Sequence, residues 1–336
     1  MHAPTPVHLL TGFLGSGKTT LLQRLLADPA LANTAVLINE FGEIGLDHHL
    51  LDRIDDTVVL LKSGCLCCTV RGEVADALLN LHSLRARGEV DWFERVVIET
   101  TGLADPYPVL TTIRAHPVLR SHFSIGGTVT TIDAVNGASQ LANRLEAVRQ
   151  VAAADVLVVT KADLATPDAA AFLRLRLAAL NPAAELLLAA DADAAGILIP
   201  AGLRLIPEVP LADHHAAGNV QSFSMTIDGT VDWTAFGVWL TMLLNRHGDR
   251  IFRVKGMLNV AGEDRPVAIH GVQRLVHPPV HMSAWPDEKR QSRLVFIFEG
   301  LDPEAIRHSF EVFNALSNAP AARASRQPGQ PAVLAS

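Results

Sequence analysis

The stretch Gly12-Phe13-Leu14-Gly15-Ser16-Gly17-Lys18-Thr19 limits this chain to few folds, because a GxxxxGKT loop works only between a strand and a helix. An apolar run at 7–10 precedes it and a helix-like stretch at 20–26 follows it, so the required order is present. The glycines let backbone N–H groups converge on phosphate oxygens. Lys18 supplies a point charge for the β and γ phosphates, and the Thr19 hydroxyl can complete a Mg²⁺ shell. A glycine-rich turn with a chance lysine is the competing reading, but it leaves the flanking strand and helix unexplained.

Short β-branched runs at 35–38, 58–61, 96–99, 127–132 and 156–160 alternate with helical patterns. In the segment 73–84, Val74, Leu78 and Leu81 fall on one face; 141–151 and 168–180 also read as amphipathic helices. The pattern predicts an α/β fold: a P-loop domain with a mainly parallel sheet flanked by helices and working loops at the carboxyl ends of the strands. With 336 residues, 49% of them hydrophobic, the chain exceeds what one core usually serves. The expected division is a first domain over 1–206, a linker over 207–219 carrying Pro207 and Pro210, and a smaller α+β domain over 220–316. Its elements are an alternating segment at 220–227, a helix at 231–245, strands at 251–260, 267–269 and 294–298, and a helix at 303–316. Residues 317–336, rich in Ala, Pro and Ser, read as a disordered tail.

A formal charge of −7 and the lack of an aromatic-plus-arginine motif argue against nucleic-acid binding. No uninterrupted apolar run reaches about 18 residues, and MHAPTPVHLL does not have the form of a signal peptide. A soluble cytoplasmic protein that does not engage membranes is expected. The oligomeric state stays open, a homo-oligomer included.

Two further motifs bear on the nucleotide. The run Val96-Val97-Ile98-Glu99-Thr100-Thr101-Gly102 ends a buried strand in an acid, where a P-loop enzyme holds a Mg²⁺ carboxylate, and Gly102 would let the backbone approach a γ-phosphate. A lone acid at a strand end is otherwise a solvated terminus; its place after the phosphate loop favours the functional reading. In Thr160-Lys161-Ala162-Asp163, the carboxylate of Asp163 can accept from guanine N1–H and the 2-amino group, a pair that adenine does not present. The stem of Lys161 can cover the base. Four letters alone are a weak match, and strand order gives them their weight.

All three cysteines of the chain lie within four residues, Cys65, Cys67 and Cys68, in the polar stretch KSGCLCCTVRG. Such clustering suits a soft metal ion in a reducing compartment, whereas structural thiols would be scattered. A disulfide between adjacent Cys67 and Cys68 would be strained. Water, Glu43, His48 or His49 could supply a fourth ligand, although paired histidines are more often solvated. His270, His277 and His281 cluster around Pro278 and Pro279 and read as surface and partly packed histidines on irregular structure.

GFLGSGKTT, NEFGEIGLD, GCLCC, ETTG and TKAD, followed by GVQRL and SRLVFI, resemble the CobW-like family of GTP-dependent metallochaperones over roughly residues 7–315. The resemblance implies a P-loop GTPase domain with a CobW-type carboxy-terminal domain, and a zinc cargo, with cobalt or iron in specialised members. It places Gly12, Gly15, Ser16, Gly17, Lys18, Thr19 and Thr20 on the nucleotide, Thr19 on Mg²⁺, and Glu99 near the attacking water or γ-phosphate. It makes 39–47 the first switch, with Asp47 a Mg²⁺ or water-orienting group, so that Lys18, Asp47 and Glu99 form the catalytic set. Thr160 stands where many GTPases have asparagine, and Ile38 where some members carry an acid.

The expected cycle has GTP and Mg²⁺ shape a thiolate site for Zn²⁺, which hydrolysis then weakens so that metal passes to a client protein. A P-loop phosphotransferase with structural cysteines, or a nucleotide-stabilised metal sensor or buffer, are the alternatives.

Overall fold

The computed structural model describes residues 3–38, 59–62, 70–193, 197–198 and 219–318. Seven strands, β1 (Thr5–Gly12), β2 (Thr34–Ile38), β3 (Val59–Lys62), β4 (Arg95–Glu99), β5 (Phe123–Asp133), β6 (Val156–Thr160) and β7 (Glu185–Leu188), form one sheet. Its order is β3-β2-β4-β1-β5-β6-β7 and every pairing is parallel. Successive side chains on a strand face opposite ways, which explains why Val7, Leu9 and Leu10 of β1 are apolar whichever way they face. Val7 and Leu9 join Val74, Leu78, Leu81, Val109 and Ile113 on one face. Leu10 joins Leu21, Leu22 and Leu25 on the other. Both faces are thus covered by helices, and only the strand ends are left for chemistry.

The predicted face of the helix Val70–Arg87, made of Val74, Leu78 and Leu81, is buried as expected. The single helix expected over 141–151 is instead two, Gly137–Asn143 and Leu145–Ala153, because Arg144 takes an extended backbone (φ −131°, ψ 111°). The helix Pro106–Ala115 escaped the sequence reading because its two prolines look like turn residues; Pro106 sits in the first turn and Asp105 caps it by accepting from the Tyr107 N–H at 3.0 Å. The short strand β7 was missed as well.

The second sheet is antiparallel. It contains β8 (Val220–Ile227), β9 (Ile251–Leu258), β10 (Val267–Val272), β11 (Leu275–Val276), β12 (Val280–His281) and β13 (Ser292–Glu299). The order is β11-β10-β9-β13-β8, with β12 paired to β10. One face packs Phe223, Leu294 and Phe296 against Trp239 and Phe310 of the helices Trp233–His247 and Pro303–Asn318. The other packs Phe252, Val295 and Ile297 against Val148, Leu173 and Leu177 of the first unit. Asn219 aside, the expected linker lies outside the described residues, as does the expected tail beyond Asn318. Among the described residues no helix is long and apolar enough to cross a membrane.

Charges line the contact between the two units. Arg253 Nη1 donates to Ala153 O at 2.7 Å and Arg253 also pairs with Asp155; Lys255 Nζ donates to Ala183 O at 2.9 Å and lies 3.6 Å from Asp155. Burial alone would raise the Asp155 carboxyl, but Arg253 and Lys255 outweigh it and hold the group below the usual carboxylate range. His270 and His277 are half-buried, in keeping with the reading of partly packed histidines, although His270 lies on a strand, β10, rather than on irregular structure. Burial pushes His270 down to about 3 and His277 to about 4. Their surroundings are strands packed on the other unit, so the neutral imidazole is favoured. His281 is exposed and lies 3.2 Å from Glu263.

Candidate functional site

The phosphate loop leaves the carboxyl end of β1 and enters the helix Lys18–Leu26. Gly12 has φ +143°, and a Cβ there would lie 2.3 Å from Thr131 Oγ1 and 2.5 Å from Thr131 O, so no side chain fits. No side chain caps the helix, whose first-turn N–H groups therefore point at the loop's concavity, the arrangement that suits an anion. Lys18 Nζ donates to Gly12 O at 3.0 Å and Phe13 O at 3.3 Å, so its ammonium lies against the loop itself. Thr20 is exposed in the same first turn.

Neighbouring strand ends shape this loop. Ser16 Oγ and Thr131 Oγ1 are 2.6 Å apart, and Thr160 Oγ1 donates to Ser16 O at 2.7 Å. Lys161, in left-handed backbone (φ 54°), donates through Nζ to Gly15 O at 2.7 Å and Asp133 Oδ2 at 2.8 Å. Asp133 in turn accepts from the N–H groups of Val135 (2.8 Å) and Asn136 (3.2 Å). Burial alone would raise the Asp133 carboxyl; the bonds from Lys161 and Asn136 prevail and lower it. Asp163 stands exposed on the single turn Ala162–Leu164 that follows.

β4 delivers the acid. Glu99 is 5% exposed, and the Thr19 hydroxyl donates to its Oε1 at 2.7 Å. Two oxygen donors meeting in a nearly buried place fit a hard divalent cation such as Mg²⁺. Beyond Glu99, the Thr100 N–H donates to Leu10 O at 2.9 Å, and a Cβ on Gly102 would lie 2.7 Å from Leu14 Cα and N. The close approach that Gly102 permits is thus to the phosphate loop. Lys18, Thr19, Glu99, Gly102 and Lys161 are brought together.

Three contributors had no motif to reveal them. Thr131, Asp133 and Gln150 act through partners that stand 28 to 115 residues away in sequence, so no local spacing marks them. A usable signal did exist for Asp133, which ends a β-branched run in an acid just as Glu99 does. Thr160, at the position where many GTPases have asparagine, holds the Ser16 carbonyl.

Cys65, Cys67, Cys68, Asp47, Glu43, His48, His49 and the rest of the expected switch lie outside the described residues. Their launching points are described. Ile38, the last residue of β2, is in register with Lys62 at the end of β3 and with Glu99 at the end of β4. Among the described residues no group of three or more His, Cys, Asp or Glu could hold a metal ion.

Residues 6–187 match the family described as CobW/HypB/UreG, nucleotide-binding domain, and residues 220–314 match the cobalamin synthesis protein cobW C-terminal domain. The zinc chaperone YjiA of Escherichia coli is 35% identical over 315 residues, covering 91% of this chain and 98% of that protein. The crystal structure of Zn(II)-bound YjiA GTPase from E. coli superposes with a TM-score of 0.71 at 32% identity, covering 93% of this chain and 99% of that one. A Zn(II)-bound triple mutant of YjiA, with one glutamate and two cysteines replaced by alanine, superposes with a TM-score of 0.68 at 31% identity, covering 93% of this chain and 100% of that one. Five ordered motifs, a seven-stranded parallel sheet with its phosphate loop, and similarity along both units agree: the chain belongs to the CobW/HypB/UreG family and carries the CobW carboxy-terminal domain.

Proposed function

We propose that this protein is a GTP phosphohydrolase that carries Zn²⁺, or a related metal such as cobalt or iron, on Cys65, Cys67 and Cys68 and hands it to a client metalloprotein. The observation that carries the reading is the register of Ile38, Lys62 and Glu99. Three adjacent parallel strands launch the 39–58 segment, the cysteine segment and the acid loop from one edge of the site. In this reading a change at the γ-phosphate is passed along these strands toward the cysteine segment.

In this reading the residues divide the work as follows. Gly12, Gly15, Ser16, Gly17 and Thr20 present the loop and first helical turn to the phosphates, and Lys18 leaves its carbonyl partners to meet the β and γ oxygens. Thr19 and Glu99 would hold Mg²⁺, which would neutralise charge developing on those oxygens. Glu99 and Asp47 orient the attacking water, Gly102 closes the loop over the γ-phosphate, and Asp163 and Lys161 read and cover guanine. With GTP bound, the 39–47 segment completes the cysteine site; loss of the γ-phosphate weakens it. Clustered thiolates suit the reducing cytoplasm. A GTPase unit over 1–206 and a carboxy-terminal unit over 220–316, joined by a linker, belong to the same proposal.

The test is Zn²⁺ affinity, measured by competition with a chromogenic chelator in the presence of GTP, a nonhydrolysable analogue, or GDP. The expected result is tighter binding with the triphosphates by about 5–150-fold, the span of ordinary couplings. Equal affinities in the GTP and GDP states would end the transfer cycle. Replacing all three cysteines by serine should abolish one tight site; total zinc content is a poorer readout, because the YjiA triple mutant is itself Zn(II)-bound.

A further inference from the structure

The helix Leu145–Ala153 touches both units through adjacent residues. Gln150, 0% exposed, spends its amide donors on one loop: Nε2 lies 3.1 Å from Gly102 O and 3.1 Å from Ala104 O. Arg149 reaches Asp105 Oδ2 at 3.5 Å, and Asp105 caps the next helix. Residues 102–105 therefore hang from two neighbouring side chains of this helix. Its own place is set from below, where Asn181 Nδ2 donates to Val151 O at 2.7 Å and Ala154 O at 3.0 Å. The other unit supplies the remaining grip. Arg253 of β9 takes the Ala153 carbonyl, one of those a helix end normally leaves to water, and the Arg149 guanidinium lies 5.5 Å from the Phe252 ring centroid.

We propose that Gln150 is a positioning residue for GTP hydrolysis, through which the helix Leu145–Ala153 makes the Glu99–Gly102 loop answer to the carboxy-terminal unit. A movement of the second sheet shifts the helix through Arg253, and the Gln150 amide carries Gly102 with it. The loop that senses the γ-phosphate and the surface remote from the nucleotide then share one rigid element. A protein docking on the carboxy-terminal unit could thereby alter turnover without touching nucleotide. This rests on the reading of Glu99 to Gly102 as the γ-phosphate loop.

The test is a kinetic cycle on the full chain with melting temperature as a folding control. Gln150→Met keeps the volume and deletes both donors; kcat should fall at least about tenfold while KM for GTP stays within about twofold. Gln150→Glu, equal in length but an acceptor, should lose kcat in parallel and serves if the methionine variant folds poorly. Arg253→Lys should lower kcat about threefold in the wild type and add nothing in the Gln150→Met background, because both act on one element. A folded Gln150→Met with full kcat, or effects that simply multiply, would overturn the coupling. Glu99→Gln separates the two levels: full turnover there removes the γ-phosphate reading itself, whereas lost turnover there with full turnover in Gln150→Met removes only the coupling.

Discussion

The two sheets put their polar residues in opposite places. In the parallel sheet the strand interiors are mainly apolar, with uncharged exceptions such as His8, Thr128 and Thr130, and Glu99, Asp133 and Thr160 stand at the carboxyl ends. In the antiparallel sheet Arg253 and Lys255 stand within a strand, at 3% and 7% exposure. The cause is what covers each face. Helices on both sides of a parallel sheet offer no free acceptors, so charge is tolerated only where the strand stops. The second sheet has its own helices on one side and the ends of another unit's elements on the other, where Ala153 O, Ala183 O and Asp155 are available. At Arg253 and Lys255, charge inside a strand goes with a contact between units, whereas at Glu99 and Asp133 charge at a strand's carboxyl end goes with the phosphate loop.

That contrast breaks most sharply at Arg253. Arg253→Ala takes the nearest cation from Asp155, leaving it Lys255 and the Thr128 N–H, and frees the Ala153 carbonyl; unfolding in urea should show a loss of about 3 kcal/mol, the lower end for breaking a buried pair. An exposed-pair value below about 1 kcal/mol would mean that the contact opens to water. At the loop end the effect should be smaller and confined to ligand. Asp163→Asn should weaken GTP binding by about 1–3 kcal/mol, favour xanthosine triphosphate, and leave the melting temperature alone. Calorimetric titration with both nucleotides checks it, and equal affinity of the wild type for ATP and GTP would remove the base assignment.

The smallest effect is a slope. His8, buried on β1 against Gly126, is pushed down to about 4 by burial and then by Arg95, while His270 and His277 sit near 3 and 4. These groups are neutral in the fold, and the unfolded chain takes protons below about 6.5, so stability is complete above that pH and falls as pH drops toward about 4. Each contributes at most about 1.4 kcal/mol per pH unit in that window. Asp155, with its carboxyl held low, keeps its contribution through this window and loses it only at lower pH. Melting temperature measured from pH 7 to 4.5 should fall steadily. A flat profile would show that the histidines are solvated.

Most strands were legible because β-branched runs between glycine-rich or charged breaks leave little choice; β2, β4, β6 and β8 fall within a residue of their expected bounds. The phosphate loop, Glu99 and the Lys161–Asp163 turn were legible for a related reason, since each is a contiguous motif at the end of such a run. Arg144 was not, because a single extended residue does not interrupt a helical periodicity. Nor were Thr131, Asp133, Gln150 and Arg253, whose meaning comes from partners far along the chain. How far the partly packed His270 and His277 are covered depends on how two units meet, which no local pattern encodes.

The phosphate loop is only eight residues long, yet its shape is set by Thr131, Thr160 and Lys161, more than 110 residues further on. During synthesis the complete GxxxxGKT motif leaves the ribosome long before any of these partners exists. A nascent chain stopping short of β6 holds the letters of the motif without the bonds that give it form. Nucleotide affinity is therefore acquired late in translation, and a bound nucleotide certifies that the centre of the parallel sheet has closed.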